Sequence, residues 1–198
     1  MTYAKKNSLM VSLLAALFLM VAAPTVASAE TETHKPDLAH SQVMFRANHL
    51  DIGYTFGQFM KYDGTIKYNA EKPSESSIEL TIETPSVETF VDKRDKHLRG
   101  PDFLSAKKFP EMTFKSTKVA EKDDDTLRVT GDLTIRDTTK QISIDVKKLG
   151  EGKGPQGKFR RGWYTEFDIN RLDFGVDWNP KAVGKKLRII LALETIKQ

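Results

Sequence analysis

Apolar and polar residues alternate along most of the chain. The clearest case is residues 127–136, where every second position is apolar or glycine and the positions between are polar. A strand with this alternation has one apolar and one polar face, as in an antiparallel sheet with water on one side. The same alternation occurs at Val43/Phe45/Ala47, Ile78/Leu80/Ile82, Met112/Phe114, Ile142/Ile144/Val146, Trp163/Thr165/Phe167/Ile169 and Leu187/Ile189/Leu191/Leu193. The pattern predicts an all-β fold of about eight antiparallel strands, because helical crossovers between the strands are scarce.

Two short polar segments predict tight connections between strands. Asp63-Gly64 separates the runs FMKY and TIKY, and glycine adopts the positive φ that a primed hairpin turn needs. The sequence therefore predicts a hairpin at Asp63-Gly64. The segment DTTK at residues 137–140 predicts a second short turn, between strands at residues 127–136 and 140–149.

One segment departs from the alternation. Around residues 89–108, Phe90, Arg94 and Leu98 recur at every fourth position, and Gly100 and Pro101 follow where a helix would end. This spacing predicts a short helical insert between two strands. Its apolar side must be buried against the sheet or across an open end of the fold, where the insert can act as a lid.

Eight strands with one apolar face each can form either a sandwich or a closed barrel. An eight-stranded barrel has an interior that side chains just fill, or that holds one elongated ligand. The chain has 11 phenylalanines, and large inward-facing rings are more typical of a packed core than of a ligand cavity. Periodicity alone therefore favours a packed interior and leaves a cavity as the alternative.

Composition excludes several classes of function. The 31 basic and 27 acidic residues are interspersed, with no basic block of the kind that binds nucleic acid. Cysteine is absent, which excludes disulfides, thiolate metal sites, iron–sulfur clusters and cysteine nucleophiles. No cofactor is predicted.

The N-terminal region has the pattern of an export signal. Lys5 and Lys6 precede an uncharged apolar run at residues 9–23, and Ala27-Ser28-Ala29 supplies small residues for cleavage. We predict a cleavable signal peptide at residues 1–29, cut after Ala29, and a barrel domain at residues 30–198. The apolar run is shorter than the roughly 20 residues that span a bilayer. The protein is therefore expected in the periplasm, without a stable membrane anchor after cleavage.

Four segments resemble the motifs of the YceI family. They are VMFRANHLDIGYTFGQFMKYDGTI (43–66), RDKHLRGPDFLSAKKFPEMTFKST (94–117), GDLTIRDTTKQISIDV (131–146) and FDINRLDFGV (167–176). The resemblance implies an exported, lipocalin-like antiparallel barrel whose elongated pore binds a polyisoprenoid lipid, and it shifts the expectation from a packed core to a cavity. Asp137-Thr138 departs from the family pattern of glycine followed by an apolar residue, which affects only a turn.

The candidate lipid-binding residues are taken from the alternation within strands and from the family resemblance. Alternation within strands predicts an inward orientation for Phe45, His49, Ile82, Met112, Phe114, Leu133, Trp163 and Phe167. The resemblance adds Phe59, Leu98, Phe103 and Phe109. His49 can donate a hydrogen bond to a ligand head group, with a satisfied interior histidine as the alternative.

Polar residues of the insert and of the last motif allow two interpretations. Arg94, His97 and Arg99 can form a cationic rim for a phosphate-bearing head group. Alternatively, Arg94 and Asp95 fix the insert to a neighbouring strand. Asn170-Arg171 is interpreted as a structural turn with a buried arginine.

The sequence gives little support for catalysis or metal binding. The histidines have no i,i+4 pair, and the serines lack the G-x-S-x-G context of a nucleophile. A zinc site from His40, His49 and His97 would have to be assembled by the fold, and no metal site is predicted. The aspartate run at residues 123–125 is typical of a solvated turn and lacks the spacing of a Ca²⁺ loop.

The predicted function is binding, with no chemistry performed on the ligand. We expect an exported carrier that sequesters or transports a polyprenyl phosphate or an isoprenoid quinone. One alternative is a stress-protection or interaction scaffold with a packed barrel. A second is a hydrolase of isoprenoid diphosphates, which would need a metal or a base that the sequence does not reveal. Edge strands of the barrel also permit a homodimer.

Overall fold

A computed structural model describes residues 1–2 and 30–198 of the chain. The predicted signal peptide lies outside these residues, apart from Met1 and Thr2. The described part contains one α-helix, a few 3₁₀ turns and eleven strands of a single antiparallel sheet. These elements are β1 (Glu32–Pro36), β2 (Gln42–His49), β3 (Gly53–Phe59), β4 (Tyr62–Tyr68), β5 (Ser77–Glu83), β6 (Val87–Glu88), α1 (Asp92–Leu98), β7 (Glu111–Asp123), β8 (Thr126–Ile135), β9 (Thr138–Lys153), β10 (Phe159–Asn170) and β11 (Val183–Lys197).

Eight of the strands close into a barrel. Their order is β1-β4-β5-β7-β8-β9-β10-β11, and β1 pairs with β11 to complete the circle. The closing pairs are His34 with Lys197, Lys35 with Ile196 and Pro36 with Thr195. This seam confirms the predicted eight-stranded antiparallel barrel over a sandwich.

The remaining three strands form a side sheet, β2-β3-β6, which branches from the barrel at β11. The first part of β11, from Val183 to Ala192, pairs with β2, whereas its last residues pair with β1. One long strand therefore serves both the barrel seam and the side sheet. Residues 37–41 carry the chain from β1 to β2 along the same edge of β11.

The hairpin predicted at Asp63-Gly64 is wrong. Both residues lie inside β4, where Asp63 pairs with Thr81 and Gly64 with Leu80 of β5. A Cβ on Gly64 would lie 2.6 Å from the carbonyl oxygen of Glu79. The glycine therefore permits a close approach between two strands and does not make a turn.

Two other turns connect neighbouring strands tightly. The β2–β3 connection has Leu50 and Asp51 at φ 55° and 56°, the positive values of a primed turn, in residues that rarely adopt them. The β8–β9 turn places Arg136 at φ 58°. It begins one residue before the predicted DTTK turn.

The predicted helical insert is present and short. The helix α1 has seven residues, and turns continue the insert to residue 108. Phe90 does not belong to the apolar side of this helix, because it precedes the first helical residue and is 80% exposed. Leu98 does pack inward, against the barrel core. Within residues 30–198 no helix is long and apolar enough to cross a membrane.

Two large clusters of buried apolar side chains occupy opposite parts of the barrel interior. We call the first the packed end; it consists of the buried side chains Ile66, Tyr68, Val119, Leu127, Val129, Ile144, Val146 and Trp163. We call the second the hollow end; its buried members are Phe103, Met112, Ile135, Ile169, Phe174 and Val176. Many partly accessible apolar side chains surround the hollow end, including Phe59, Leu133, Phe167 and Ile189.

Candidate functional site

An apolar cavity of about 210 Å³ lies inside the barrel. Its walls are the inward-facing side chains of the strands, together with Leu98, Phe103 and Leu104 of the insert. Along β10 the lining extends from Trp163 to Ile169, which corresponds to roughly 20 Å at about 3.3 Å per residue. The cavity is therefore elongated along the barrel.

Most of the predicted lipid-binding residues line this cavity. Those that do are Phe45, Phe59, Ile82, Leu98, Phe103, Met112, Phe114, Leu133, Trp163 and Phe167. Alternation within strands was a sufficient signal for the members on β2, β5, β7, β8 and β10. The same alternation in β11, at Leu187, Ile189, Leu191 and Leu193, also marks lining residues, although the sequence prediction did not select them.

Two other lining residues could not be predicted from alternation within a strand. Phe174 and Val176 belong to a 3₁₀ turn and its continuation after β10. The period of two applies only to extended strands, so it cannot assign a face to these residues. Their place in the wall depends on how the turn folds back over the barrel end.

Two predicted lining residues are outside the cavity. His49 is exposed at the last position of β2, where it pairs with Gly53 and Val183. The lining on this strand ends two residues earlier, at Ala47. Phe109 lies against two cations instead, with its ring centroid 4.8 Å from Lys108 Nζ and 5.6 Å from Arg136 Cζ.

The arginines of the predicted cationic rim are engaged in backbone contacts. Arg94 donates to the Thr89 carbonyl oxygen at 2.8 Å and to Thr89 Oγ1 at 2.7 Å. Arg99 donates to the carbonyl oxygens of Pro85 at 2.8 Å and Val87 at 2.9 Å. These contacts join the insert to the chain around β6, as the structural interpretation of Arg94 predicted.

Asp95 and His97 add further links within the insert. The buried Asp95 carboxylate accepts hydrogen bonds from the backbone N–H of Thr89 at 2.9 Å and from its hydroxyl at 2.5 Å. His97 Nε2 lies 2.8 Å from an Asp102 carboxylate oxygen. The His97 ring also packs edge-on against Trp178, with centroids 4.9 Å apart. Neither residue lines the cavity.

Arg171 holds the wall at the hollow end. It is 2% exposed and donates to the carbonyl oxygens of Gly184, Val176, Trp178 and Val183 at 3.0, 2.5, 2.9 and 2.6 Å. Burial lowers the pKa of its guanidinium, although Asp177 nearby acts in the opposite direction. The turn predicted at Asn170-Arg171 is confirmed, and its arginine ties residues 176–184 to the end of β10.

Polar contacts close the packed end below the cavity. Trp163 Nε1 donates to Thr195 Oγ1 at 3.0 Å, and Thr195 Oγ1 donates to the Arg161 carbonyl oxygen at 3.0 Å. His34 is fully buried and lies 3.1 Å from Glu32, and burial lowers its pKa. Burial alone would raise the pKa of Glu32, but hydrogen bonds from Lys197, His34 and Arg161 hold it at about 2.

The histidines considered for zinc are not brought together. Among the described residues, one group with metal-ligand spacing was found, formed by Asp37, His40 and Glu194. The Arg160 guanidinium bonds to both of its carboxylates and so occupies the position of a cation. The aspartate run at residues 123–125 is exposed at the end of β7 and in the turn to β8, as predicted for a solvated turn.

Comparison with known proteins agrees with this architecture. The family model of a YceI-like domain matches residues 34–195. Protein YceI of Escherichia coli O6:H1 is 36% identical over 180 residues, which cover 91% of this chain and 93% of the relative. The chain resembles several solved structures at the level of the fold. Burkholderia cenocepacia BcnA has a TM-score of 0.74 and 24% identity, covering 80% of this chain and 98% of BcnA.

A second solved structure is a polyisoprenoid-binding domain from Saccharophagus degradans. It has a TM-score of 0.65 and 14% identity, covering 85% of this chain and 100% of that domain. The motifs, the closed barrel and the match across nearly all of the described residues lead to one assignment. This chain belongs to the YceI family.

Proposed function

We propose that this protein is an exported carrier that binds a polyisoprenoid lipid in its barrel cavity. The ligand classes are a polyprenyl phosphate and an isoprenoid quinone. The observation that carries the proposal is the elongated apolar cavity, whose lining side chains remain partly accessible. The polyisoprenoid-binding domain with the same fold supports it.

The free energy of binding would come from the hydrocarbon. Burial of apolar surface contributes about 25 cal/mol per Å², or about 0.8 kcal/mol for each methylene. Phe114, Leu133, Phe167 and Ile189 line the cavity and keep accessible apolar surface. Covering these faces with a chain removes water from both partners, and no catalytic group is needed.

The partly filled interior also favours a carrier over a packed scaffold. A scaffold that works through its surface gains stability from a filled core, because interiors normally reach crystal-like packing density. Here an apolar cavity of about 210 Å³ remains inside the barrel, and members of both ends line it, among them Trp163 and Phe103. A hydrolase would need a base or metal in the cavity wall, and the wall is apolar apart from a few polar residues.

Native mass spectrometry tests the proposal directly. The mature protein is purified without detergent, and any co-purifying lipid is extracted and identified. Ubiquinone and polyprenyl phosphate are then added to emptied protein. We expect a bound isoprenoid, or uptake of an added one. A barrel that arrives empty and takes up neither lipid would refute the carrier function.

Matched variants connect binding to the cavity. Phe114→Asp and Phe167→Asp place a charge in the wall, which opposes burial of a hydrocarbon, and we expect either to abolish uptake. His49→Asp is the control, because His49 is exposed and outside the lining. Circular dichroism of all three variants separates lost binding from lost folding.

Export and signal-peptide cleavage can be tested separately from lipid binding. The Lys5-Lys6 pair, the apolar run and Ala27-Ser28-Ala29 support cleavage after Ala29 and a periplasmic location. Intact-mass analysis of the protein from a periplasmic extract should find a chain that starts at Glu30. A full-length chain in the cytosolic fraction would contradict this part of the proposal.

A further inference from the structure

Thr165 places a hydroxyl inside the apolar cavity. It lies on β10 between Trp163 and Phe167, and all three residues face inward and line the cavity. Thr165 is only 6% exposed, and its Oγ1 is buried without any hydrogen-bond partner. Its pairing partner on β11, Leu191, also lines the cavity and offers no polar side-chain atom, and neither does Val146 of β9 in the same lining.

The lining also includes Thr113, Tyr164 and Glu79, but none of them has a buried polar side-chain atom without a partner. Within the described ranges, several buried polar side-chain atoms lack a partner, and Thr165 is the one residue among them that lines the cavity. Arg171 also lines it, but its three nitrogens donate to carbonyl oxygens. Trp163 Nε1 is bonded to Thr195.

An unpaired buried hydroxyl is unfavourable, and valine of the same shape would avoid the cost. A wall built only to hold hydrocarbon would gain from valine at this position. A polar group of a bound ligand in the cavity would remove this cost.

We propose that the Thr165 hydroxyl forms a hydrogen bond with a neutral oxygen of the bound lipid. The inference rests on the proposed function and narrows its ligand class to an isoprenoid with a carbonyl or hydroxyl oxygen, such as a quinone. The oxygen-bearing end enters the barrel first and lies just above Trp163, at the border of the packed end. The hydrocarbon tail then extends along the hollow end.

The charges near this position argue against a phosphate. Arg161 is the cation close to the Trp163 ring, with its Cζ 5.8 Å from the ring centroid. Its guanidinium forms ion pairs with Glu32 and Glu151, so its charge is already compensated. A phosphate beside Thr165 would be buried in apolar surroundings without a free cation, which is strongly unfavourable.

Two substitutions at one position separate the hydroxyl from the side-chain volume. Thr165→Val removes the hydroxyl and keeps the shape, whereas Thr165→Ser keeps the hydroxyl and removes a methyl group. The probes are a ubiquinone with two isoprene units, which carries carbonyl oxygens, and squalene, an isoprenoid hydrocarbon without oxygen. Affinities for both probes are measured with wild type and with each variant.

For Thr165→Val we expect about tenfold weaker ubiquinone binding, equivalent to about 1.4 kcal/mol, with unchanged or tighter squalene binding. Thr165→Ser should stay within about twofold of wild type for ubiquinone. The infrared carbonyl band of the bound quinone should move to higher wavenumber in Thr165→Val, because a hydrogen bond to that carbonyl is lost.

The outcomes distinguish the two proposals. If wild type binds neither probe, the lipid-binding function fails and the inference fails with it. If wild type binds ubiquinone and Thr165→Val binds it equally well with an unshifted carbonyl band, only the Thr165 contact is refuted. Melting temperatures of the variants show whether either substitution damages the fold.

Discussion

The packed and hollow ends are built by the same strands, yet their inward-facing side chains differ in how much surface they expose to the cavity. On β8, Val129 and Leu127 are 0% and 2% exposed, whereas Leu133 on the same face keeps accessible surface toward the cavity. On β10, Trp163 and Phe167 both line the cavity, but Trp163 is 4% exposed and packs edge-on against Tyr68 with centroids 5.2 Å apart, whereas Phe167 is only partly buried. The pattern that makes a strand inward-facing therefore does not decide whether the interior is full.

The two ends also differ in what holds them. The packed end combines apolar side-chain contacts across the barrel with a few hydrogen bonds, such as the one from Trp163 to Thr195. The hollow end is held at its rim by hydrogen bonds, in which Arg171 binds four carbonyl oxygens and Asp95 binds Thr89. A cavity needs walls that do not collapse, and polar contacts to backbone fix these walls without filling the space between them.

The largest expected effect comes from the rim. Arg171→Met removes all the donors and leaves four buried carbonyl oxygens without their partner, so we expect a loss of about 3–5 kcal/mol in the free energy of unfolding. Urea denaturation measures it. Arg171→Lys is the control, because the lysine ammonium keeps the charge but has fewer donors. Its loss in the free energy of unfolding should be smaller than that of Arg171→Met. A loss below about 1 kcal/mol in Arg171→Met would mean that packing holds the hollow end after all.

A second pair of variants compares the packed end with the hollow end on strand β8. Leu127→Ala leaves a hole among fully packed neighbours and should cost about 2–5 kcal/mol. Leu133→Ala only enlarges an existing cavity, because part of its surface is already accessible, and should cost at most about half as much. Both are measured by urea denaturation, and each serves as the control for the other. Equal losses would show that the hollow end is packed as tightly as the packed end.

The smallest effect concerns the ion pairs beside the seam. The folded pKa values of Glu32 and Asp37 are about 2, below their ordinary values of 4.5 and 3.8. Hydrogen bonds to Arg160 and His40 lower the pKa of Asp37. Both carboxylates therefore add stability that is complete above about pH 5 and is lost as the pH falls from about 4.5 to about 2.

Urea midpoints between pH 7 and pH 2 measure this loss. Glu32→Gln should have a flatter profile below pH 4.5 than wild type, and Asp124→Asn, at an exposed turn position, should follow wild type. His34 acts at higher pH, because burial lowers its pKa in the folded protein. Below about pH 6.5 the unfolded chain therefore takes up a proton before the folded protein does, and the free energy of unfolding falls in that range too. A Glu32→Gln profile identical to wild type would show that the seam pairs contribute nothing.

Sequence could predict the strands, the barrel and most of the lining, because those depend on a local period of two. It failed where neighbours in space override a local signal. Asp63-Gly64 has turn chemistry, but its glycine serves a close contact with Glu79. His49 has the correct parity, but the cavity wall ends before it. The division of β11 between β1 and β2 depends on distant pairing, so the side sheet left no pattern in the sequence.

The seam also determines when a cavity can exist. His34 pairs with Lys197, and the backbone N–H of Gln198 donates to the Thr33 carbonyl oxygen at 2.9 Å. Contacts between such distant parts of a chain form slowly, and N-terminal residues are synthesised first. Until residues 195–197 have been made, β1 lacks its closing partner, and the strands form at most an open sheet. A nascent chain thus exposes its future lining to the surroundings, and the cavity becomes enclosed only after the last strand has been added.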